Sequence, residues 1–383
     1  MKIAIVHDHL TCRGGGEQVA LAFHRAFPNA PIYTLAYDPE ATYPEFRACN
    51  IKTSWFQKIS NKEKIVKAFF FPLGVLAAHQ IDVTNFDIIL ISTTHCAKYV
   101  KIHENALVIC YAHNPFRLAW YPQEYEQYKQ ATGIKRWIFD IVISVLQNID
   151  KKSLKKVDFL VTNSSIVKER LRSIYNIYRK DITIISPPVN LANFSISMHR
   201  EDYFLVVSRL ESYKRVELVI DSFNQTGLPL IIVGKGILQD KLKKKAAQNI
   251  TFKSNLSKEK LEEIYNRARA LIFPQLEDYG ITPLEANASG VPVIAFGEGG
   301  VLDTQVYLKD NIRCSTAIFF QEQTVSSLGE AIATFEKVEG EFDSIFIREN
   351  AKKFSEDEFI KKTQEFVRQK SILNATLLPN KTK

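Results

Sequence analysis

The sequence predicts an α/β protein made of two doubly wound, Rossmann-like halves, and three observations predict it. Short apolar, β-branched runs alternate with helix-period segments from the first residues to about residue 320. At 383 residues the chain exceeds what one ordinary core holds, so two domains are expected. The alternation breaks once, at Pro187-Pro188-Val189-Asn190 and the polar stretch that leads to Asp202. The predicted organisation is a first domain over 1–195, a second over 196–355, a closing helix over 356–370 and a disordered tail over 371–383.

A hydrophobic content of 46% with 24% charged residues describes a soluble globular chain. The formal net charge of +8, with basic runs at 151–156 and 241–245, suits phosphate-bearing ligands, an anionic membrane surface or nucleic acid. No nucleic-acid motif accompanies the charge, so no nucleic-acid partner is expected; each basic run taken singly reads as a solvated helix face. The five cysteines (Cys12, Cys49, Cys96, Cys110, Cys314) are odd in number and lack Cys-x-x-Cys spacing. They predict a reducing compartment with neither a disulfide framework nor structural zinc. No signal-peptide pattern opens the chain. The longest uncharged apolar run, 68–78, has 11 residues where a bilayer span takes roughly 20. The expected location is cytoplasmic, with peripheral contact on the cytosolic face of the inner membrane.

In chain order, a strand at 2–6 leads through a polar loop to Gly14-Gly15-Gly16-Glu17, where a helix starts with Val19, Ala20, Phe23 and Phe27 at helical spacing. Strand, glycine loop, helix is a phosphate-approaching unit, although the dinucleotide fingerprint and its ribose-binding acid are absent. His7 and His9 flank Asp8 and read as loop polar residues in preference to a metal set. Further strands are predicted at 31–35, 51–54, 87–92, 107–111, 158–163 and 182–186. Ligands of such sheets bind beyond the carboxyl ends of strands. That rule singles out Ser92-Thr93-Thr94-His95 and the segment from Tyr111 to Arg117, with His113 as the candidate site residue; a buried histidine bonded to backbone is the alternative. Residues 55–78 alternate basic and aromatic character. They fit an interfacial segment facing anionic headgroups, or equally a helix packed on its own domain.

In the second series, Arg209 lies just past the strand 203–207 and Lys214 at the start of a helix. Together they offer a planar fork and a point charge for phosphate oxygens. The strand 230–233 ends in Gly234-Lys235-Gly236, whose glycines let backbone approach a ligand. Ser257 caps a helix over 257–269. Glu277 and Glu285 follow the strand 270–273, with Gly280 between them and a short helix opening at Thr282-Pro283. Free N–H groups at that helix start form an anion site with a carboxylate on either side. A phosphate flanked by acids suggests a sugar nucleotide, since amides hold phosphate and carboxylates accept from hydroxyls.

Taken in this order, Gly15-Gly16-Glu17, Arg209-x4-Lys214, Gly234-x-Gly236 and Glu277-x7-Glu285 resemble the retaining glycosyltransferases of the GT-B fold, in the large family-four group. The resemblance covers residues 1–370. It implies two Rossmann-like domains facing a central cleft, with the last helix crossing back to the first domain. It implies Arg209 and Lys214 on the donor diphosphate, helped by backbone near Gly15, Gly16, Gly234, Gly280, Ile281 and Thr282. Glu285 would bind ribose, Glu277 the transferred sugar, and His113 would lie beside that sugar. The catalytic set it implies is Glu277, His113, Lys214 and Arg209. No cofactor or metal is expected, and no Asp-x-Asp is present to hold a divalent ion.

The VHDHL opening, YAHNPFRLAW and SRLESYKRVELVI are most similar to bacterial mannosyltransferases that use GDP-mannose to build O-antigen and related polysaccharides. That implies a GDP-mannose donor and a glycan acceptor linked to polyprenyl diphosphate. Tyr279, Asn287 and Tyr121-Pro122 depart from the group's pattern; the first is a mild swap, and the others leave the acceptor, and partly the donor, open. Two alternatives stay open as well: a non-hydrolysing nucleotide-sugar epimerase of the same fold, and an inactive glycan-assembly scaffold.

Overall fold

The computed structural model describes residues 1–58, 73–177, 181–192, 194–197, 199–307 and 311–377. Two units emerge, Met1–Pro188 with the chain from Phe359 onward, and Val189–Glu358. The first holds a seven-stranded sheet: β1 (Ile3–His7), β2 (Ile32–Thr34), β3 (Ile51–Thr53), β4 (Ile88–Thr93), β5 (Leu107–Ala112), β6 (Phe159–Thr162) and β7 (Ile182–Ile184). The second holds six strands: β8 (Phe204–Val207), β9 (Leu230–Val233), β10 (Ile250–Lys253), β11 (Leu271–Phe273), β12 (Val293–Phe296) and β13 (Ala317–Phe320). Every pairing between these strands is parallel. Parallel sheets are covered on both faces, which is why their strands read as near-continuous apolar runs. Ala4, Val6, Ile89 and Ile91 face one core layer, and Ile5, Ile88 and Leu90 the other. This is the period-two alternation of a strand buried twice.

The strand orders, β3-β2-β1-β4-β5-β6-β7 and β10-β9-β8-β11-β12-β13, reverse direction between β1 and β4 and again between β8 and β11. At such a switch point two neighbouring crossovers leave in opposite directions and open a crevice beyond the strand ends. The loops after β1 and β4, and those after β8 and β11, carry most of the predicted site residues.

The units divide at Pro188, ahead of the predicted 195. The reason is local: the Val189 N–H donates to the Phe354 carbonyl (3.0 Å), and Phe194 is buried in the second core. The other division falls after Glu358, three residues past the predicted 355. The last helix runs Glu356–Leu377, so residues 371–377 are helical where the sequence reads as tail. No glycine or proline interrupts it before Pro379, and the Ser371 and Thr376 hydroxyls bond back to Val367 and Ile372. Phe359 of this helix stacks on Phe23 at 5.7 Å and meets Tyr111 edge-on. Of the candidate interfacial segment 55–78, residues 59–72 lie outside the described residues. The described ends pack inward, with Phe56, Val75, Ala77 and Ala78 in the first core.

One polar knot sits inside the first unit. Lys98 and Asp150, 3% and 0% exposed, form an ion pair at 2.7 Å. The Asp150 carboxylate also accepts from Trp120 Nε1 (2.8 Å) and the Tyr175 hydroxyl. Burial disfavours the Lys98 ammonium, yet the Asp150 charge, together with Tyr175, Tyr99 and Cys110 around it, outweighs burial and holds its pKa well above the usual range. The knot ties the segment after β4 to the Gly133–Leu154 helix and to Trp120.

Candidate active site

In the first unit the site is built from the loops after β1, β4 and β5. Asp8, just past β1, is buried. Its carboxylate accepts six hydrogen bonds, from the N–H groups of Thr94, His95, Cys96 and Ala97 and the hydroxyls of Thr93 and Thr94. Burial alone would raise its pKa; the facing His95 and these donors hold it well below the usual carboxylate range. Asp8, His95 and Cys96 lie close enough to suggest a cation site. They do not make a ligand set: each Asp8 oxygen already accepts three bonds, and burial keeps the Cys96 thiol protonated. Asp8 shapes the loop after β4.

That loop begins beside Ser92. His7 Nδ1 lies 3.1 Å from the Ser92 carbonyl and 3.0 Å from its Oγ, and Ser92 Oγ lies 2.8 Å from His113 Nε2. A carbonyl only accepts, so His7 Nδ1 carries a proton. Ser92 Oγ, with one proton and two lone pairs, is the shared partner of both rings; when it donates to His113 Nε2, the proton of the His113 ring sits on Nδ1. Burial, with His7 nearby, pushes the His113 pKa down to about 3, so the ring is neutral at physiological pH. The His113 backbone is fixed as well, its N–H donating to Thr93 and its carbonyl accepting from Asn163 (both 3.0 Å).

Gly16 lies against these histidines: a Cβ there would stand 3.6 Å from His113 Nε2. The helix Gly15–Ala26 starts here, within the predicted Gly14–Glu17 stretch, and no side chain caps it. The first N–H groups of a helix have no partner within it, so Gly15 and Gly16 present amide donors beside a neutral imidazole.

In the second unit the site forms after β8 and β11. Lys214, 11% exposed, donates to Oε1 of Glu277, which also accepts from Gln275 Nε2 at 3.2 Å. Arg209 donates to the Tyr213 hydroxyl, and the Lys214 ammonium lies 5.0 Å from the Tyr213 ring centre. Burial and the Arg209 charge lower the Lys214 pKa to about 8. Glu285 accepts from the Tyr265 hydroxyl at 2.7 Å, and burial raises its pKa. Between the acids, Gly280 adopts φ +87° before the helix Ile281–Ala288. A Cβ at Gly280 would meet the Phe273 ring at 3.1 Å, so chain direction and space both call for glycine. The helix begins one residue before the predicted Thr282 and has no side-chain cap, leaving the amides of Ile281 and Thr282 as donors.

The glycine turn after β9 differs from expectation. A Cβ at Gly234 would fall 1.8 Å from the Ser208 carbonyl, and one at Gly236 would fall 2.3 Å from the Leu210 carbonyl. The close approach these glycines permit is to protein backbone. Lys235 accepts from the Leu210 N–H (2.8 Å), so the turn braces the loop that carries Arg209.

The structure thus joins Arg209, Lys214 and Glu277 in one cluster, and His113 with Gly16 in another; Glu285 is held separately by Tyr265. Sequence reasoning missed Ser92 as the link between His7 and His113, Tyr265 beneath Glu285, and Gln275 beside Glu277. It also missed that Gly300 donates to the Glu277 carbonyl (2.8 Å). Of these only Ser92 left a trace, as part of a loop at a strand's carboxyl end.

Two parallel-sheet units, each with phosphate-suited amides and polar side chains at its switch point, define a GT-B-type architecture. Residues 13–193 match the family described as Glycosyltransferase Family 4, and residues 193–354 match Glycosyl transferases group 1. With both halves matched end to end, the chain belongs to the family-four glycosyltransferases of the GT-B fold. It is similar to the O-antigen chain mannosyltransferase RfbU of Salmonella typhimurium, 29% identical over 157 residues, which are 38% of this chain and 43% of that protein. It is also similar to the α-1,3/1,6-mannosyltransferase ALG2 of Candida glabrata, 22% identical over 96% of this chain and 92% of the relative. Among solved structures, the UDP complex of Anabaena Alr3699/HepE superposes with a TM-score of 0.66 at 14% identity, covering 96% of this chain and all of that one.

Proposed function

We propose that the chain transfers a sugar from a nucleotide-sugar donor to a glycan acceptor with retention of anomeric configuration. Mannose from GDP-mannose is the first candidate, and a polyprenyl-diphosphate-linked glycan at the cytosolic membrane face is the proposed acceptor. The observation that carries the reading is the cluster Arg209–Lys214–Glu277 at the β8–β11 switch point, with the amides of Ile281 and Thr282 beside it. Cleaving a sugar–phosphate bond builds positive charge at the anomeric carbon and negative charge on the departing diphosphate. Arg209, Lys214 and the helix amides meet the second charge; Glu277, next to Lys214, is placed for the sugar beside it. Glu285, steadied by Tyr265, accepts from ribose hydroxyls. His113 is neutral, so it serves as a hydrogen-bonding group to the sugar and not as a cation. The mannosyltransferase relatives support mannose, and the UDP complex of the Anabaena protein supports a nucleoside-diphosphate donor.

The test has two stages. A thermal-shift panel of GDP-, UDP- and ADP-sugars identifies the donor, because a ligand of the native state raises its apparent stability. Transfer to synthetic polyprenyl-diphosphate glycans is then followed by NMR of the anomeric proton. GDP-mannose is expected to give the largest shift, and an α-linked product is expected. Conversion of the free nucleotide sugar without any acceptor would overturn the reading in favour of epimerisation.

A further inference from the structure

The helix Gly133–Leu154 carries two apolar faces. Its buried residues, Ile143, Leu146, Asp150 and Leu154, point into the first unit. At about 100° per residue, Ile134, Trp137, Ile138, Ile141 and Val145 fall within roughly 60° of one line on the opposite side. They are 79%, 64%, 51%, 43% and 39% exposed. A core helix has no use for a second stripe facing solvent, and soluble proteins rarely leave large apolar side chains in a contiguous row.

The charge beside this stripe has a sign. Lys152 continues the same line, and Lys155 and Lys156 follow in the turn just past the helix, all exposed. Lys135 and Arg136 stand at the other end. The two acids of the helix are both engaged: Asp140 pairs with Arg136, and Asp150 is buried against Lys98. An apolar stripe with an aromatic residue and lysines at its borders suits the boundary between acyl chains and anionic headgroups, where lysine stems lie along the apolar surface and the ammonium reaches phosphate. A protein partner would need matching acids, and a second copy of this face would set lysines against lysines. No described helix is long and apolar enough to cross a membrane.

We propose that the exposed face of Gly133–Leu154, from Ile134 to Val145 with the lysines at 152, 155 and 156, docks the protein in the plane of an anionic bilayer. The surface therefore differs from the 55–78 segment that the sequence suggests, whose described ends pack into the core. The inference gives the proposed membrane setting its contact surface, and it needs none of the donor chemistry.

The experiment is flotation of the full chain with phosphatidylglycerol-containing vesicles and with pure phosphatidylcholine vesicles, alongside tryptophan emission. Binding to anionic vesicles with a blue shift, weakened at least tenfold by Trp137→Gln/Ile141→Gln, is the expected result. Lys152→Gln/Lys155→Gln/Lys156→Gln should remove the salt-sensitive part. Both variants should keep the parent melting temperature and nucleotide-induced thermal shift, so a failed surface is distinguished from a failed donor site or a misfolded chain. Three outcomes would overturn the proposal: no flotation of the parent, flotation undiminished in the Trp137→Gln/Ile141→Gln variant, or equal binding to phosphatidylcholine. A lipid-free, concentration-dependent blue shift abolished by Trp137→Gln would assign the face to a second copy and overturn it as well.

Discussion

Lys214 Nζ donates to Glu277 Oε1, joining the cation expected at the diphosphate to the acid expected at the sugar. Two groups that touch can only grip neighbouring parts of a ligand. If Lys214 holds the phosphate nearest the sugar and Glu277 the sugar's hydroxyls, the bond to be broken lies at their junction. A charge placed there acts where charge develops, which is where it lowers a barrier most.

Lys214→Ala should therefore lower turnover by about 10²–10³ with a smaller effect on donor affinity. The parent should also show a pH signature. Burial and Arg209 bring the ammonium to about 8, while the Glu277 carboxylate in contact favours the charged form. Loss of the proton removes the positive charge, so donor affinity should be level below pH 7 and fall as pH rises past 8. Lys214→Arg, charged throughout, should flatten that fall. Titration calorimetry between pH 7 and 9.5 measures it; a level parent profile would exclude Lys214 from phosphate binding.

Tyr265 is fully buried and its hydroxyl donates a hydrogen bond to Glu285. Tyr265→Phe keeps the ring and removes one charge-assisted bond, freeing the carboxylate to turn. Nucleoside-diphosphate affinity should drop about five- to tenfold, roughly 1 kcal/mol, with turnover at saturating donor little changed. Glu285→Ala should weaken nucleotide binding further, whereas Glu277→Ala should spare it and slow transfer. Equal losses of nucleotide binding in the two glutamate variants would refute the division of labour.

The burial of His113 should be visible in acid. A histidine whose folded pKa is about 3 against an ordinary 6.5 is bound as the neutral ring, so protons favour the unfolded chain. Stability is fully present above pH 6.5 and should be lost progressively as pH falls from there towards 3. His113→Gln should remove that component of the melting-temperature profile. Ser92→Ala should leave the ring neutral but release its tautomer, so turnover falls while nucleotide affinity holds; NMR of the ring nitrogens reports the tautomer directly.

Removing one member of the Lys98–Asp150 pair leaves a buried charge uncompensated, so Asp150→Ala should cost about 3–5 kcal/mol of stability. Lys98→Met/Asp150→Leu, which removes both charges at similar volume, should recover much of the loss. Urea denaturation of the single and double variants decides it. A double variant as unstable as Asp150→Ala would show that the hydrogen bonds Asp150 accepts from Trp120 and Tyr175, and not its charge pairing with Lys98, are what the carboxylate supplies.

What the sequence made legible was local. Strand–loop–helix alternation follows from apolar runs and turn residues, so both sheets and the residues past their strand ends, such as Arg209 and Glu277, can be read along the chain. What it hid depends on which strands are neighbours. His7 and Ser92 are 85 positions apart and meet because β1 pairs with β4; Tyr265 reaches Glu285 across 20. Nothing near Tyr265 marks it for its role, and Ser92 is marked only as part of a loop at a strand's carboxyl end. Gly234 and Gly236 were legible as a close approach, though what approaches them is the Ser208–Leu210 backbone. The Gly133–Leu154 helix reads as apolar on nearly every side, and only its packing shows which apolar residues are left outside.

The six hydrogen bonds converging on Asp8 have a bearing on how the first unit comes together in time. Their donors all lie between Thr93 and Ala97, more than eighty residues downstream. Contacts so distant in sequence are made late, after the loop between them has been closed. A nascent chain emerging from its amino end has the glycine loop almost at once, yet nothing to set Ser92, and through it His113, at the proper angle. The candidate site of the first unit is therefore a late product of folding, assembled only once β4 has joined β1, and a chain stalled before residue 97 would display the loop without its frame.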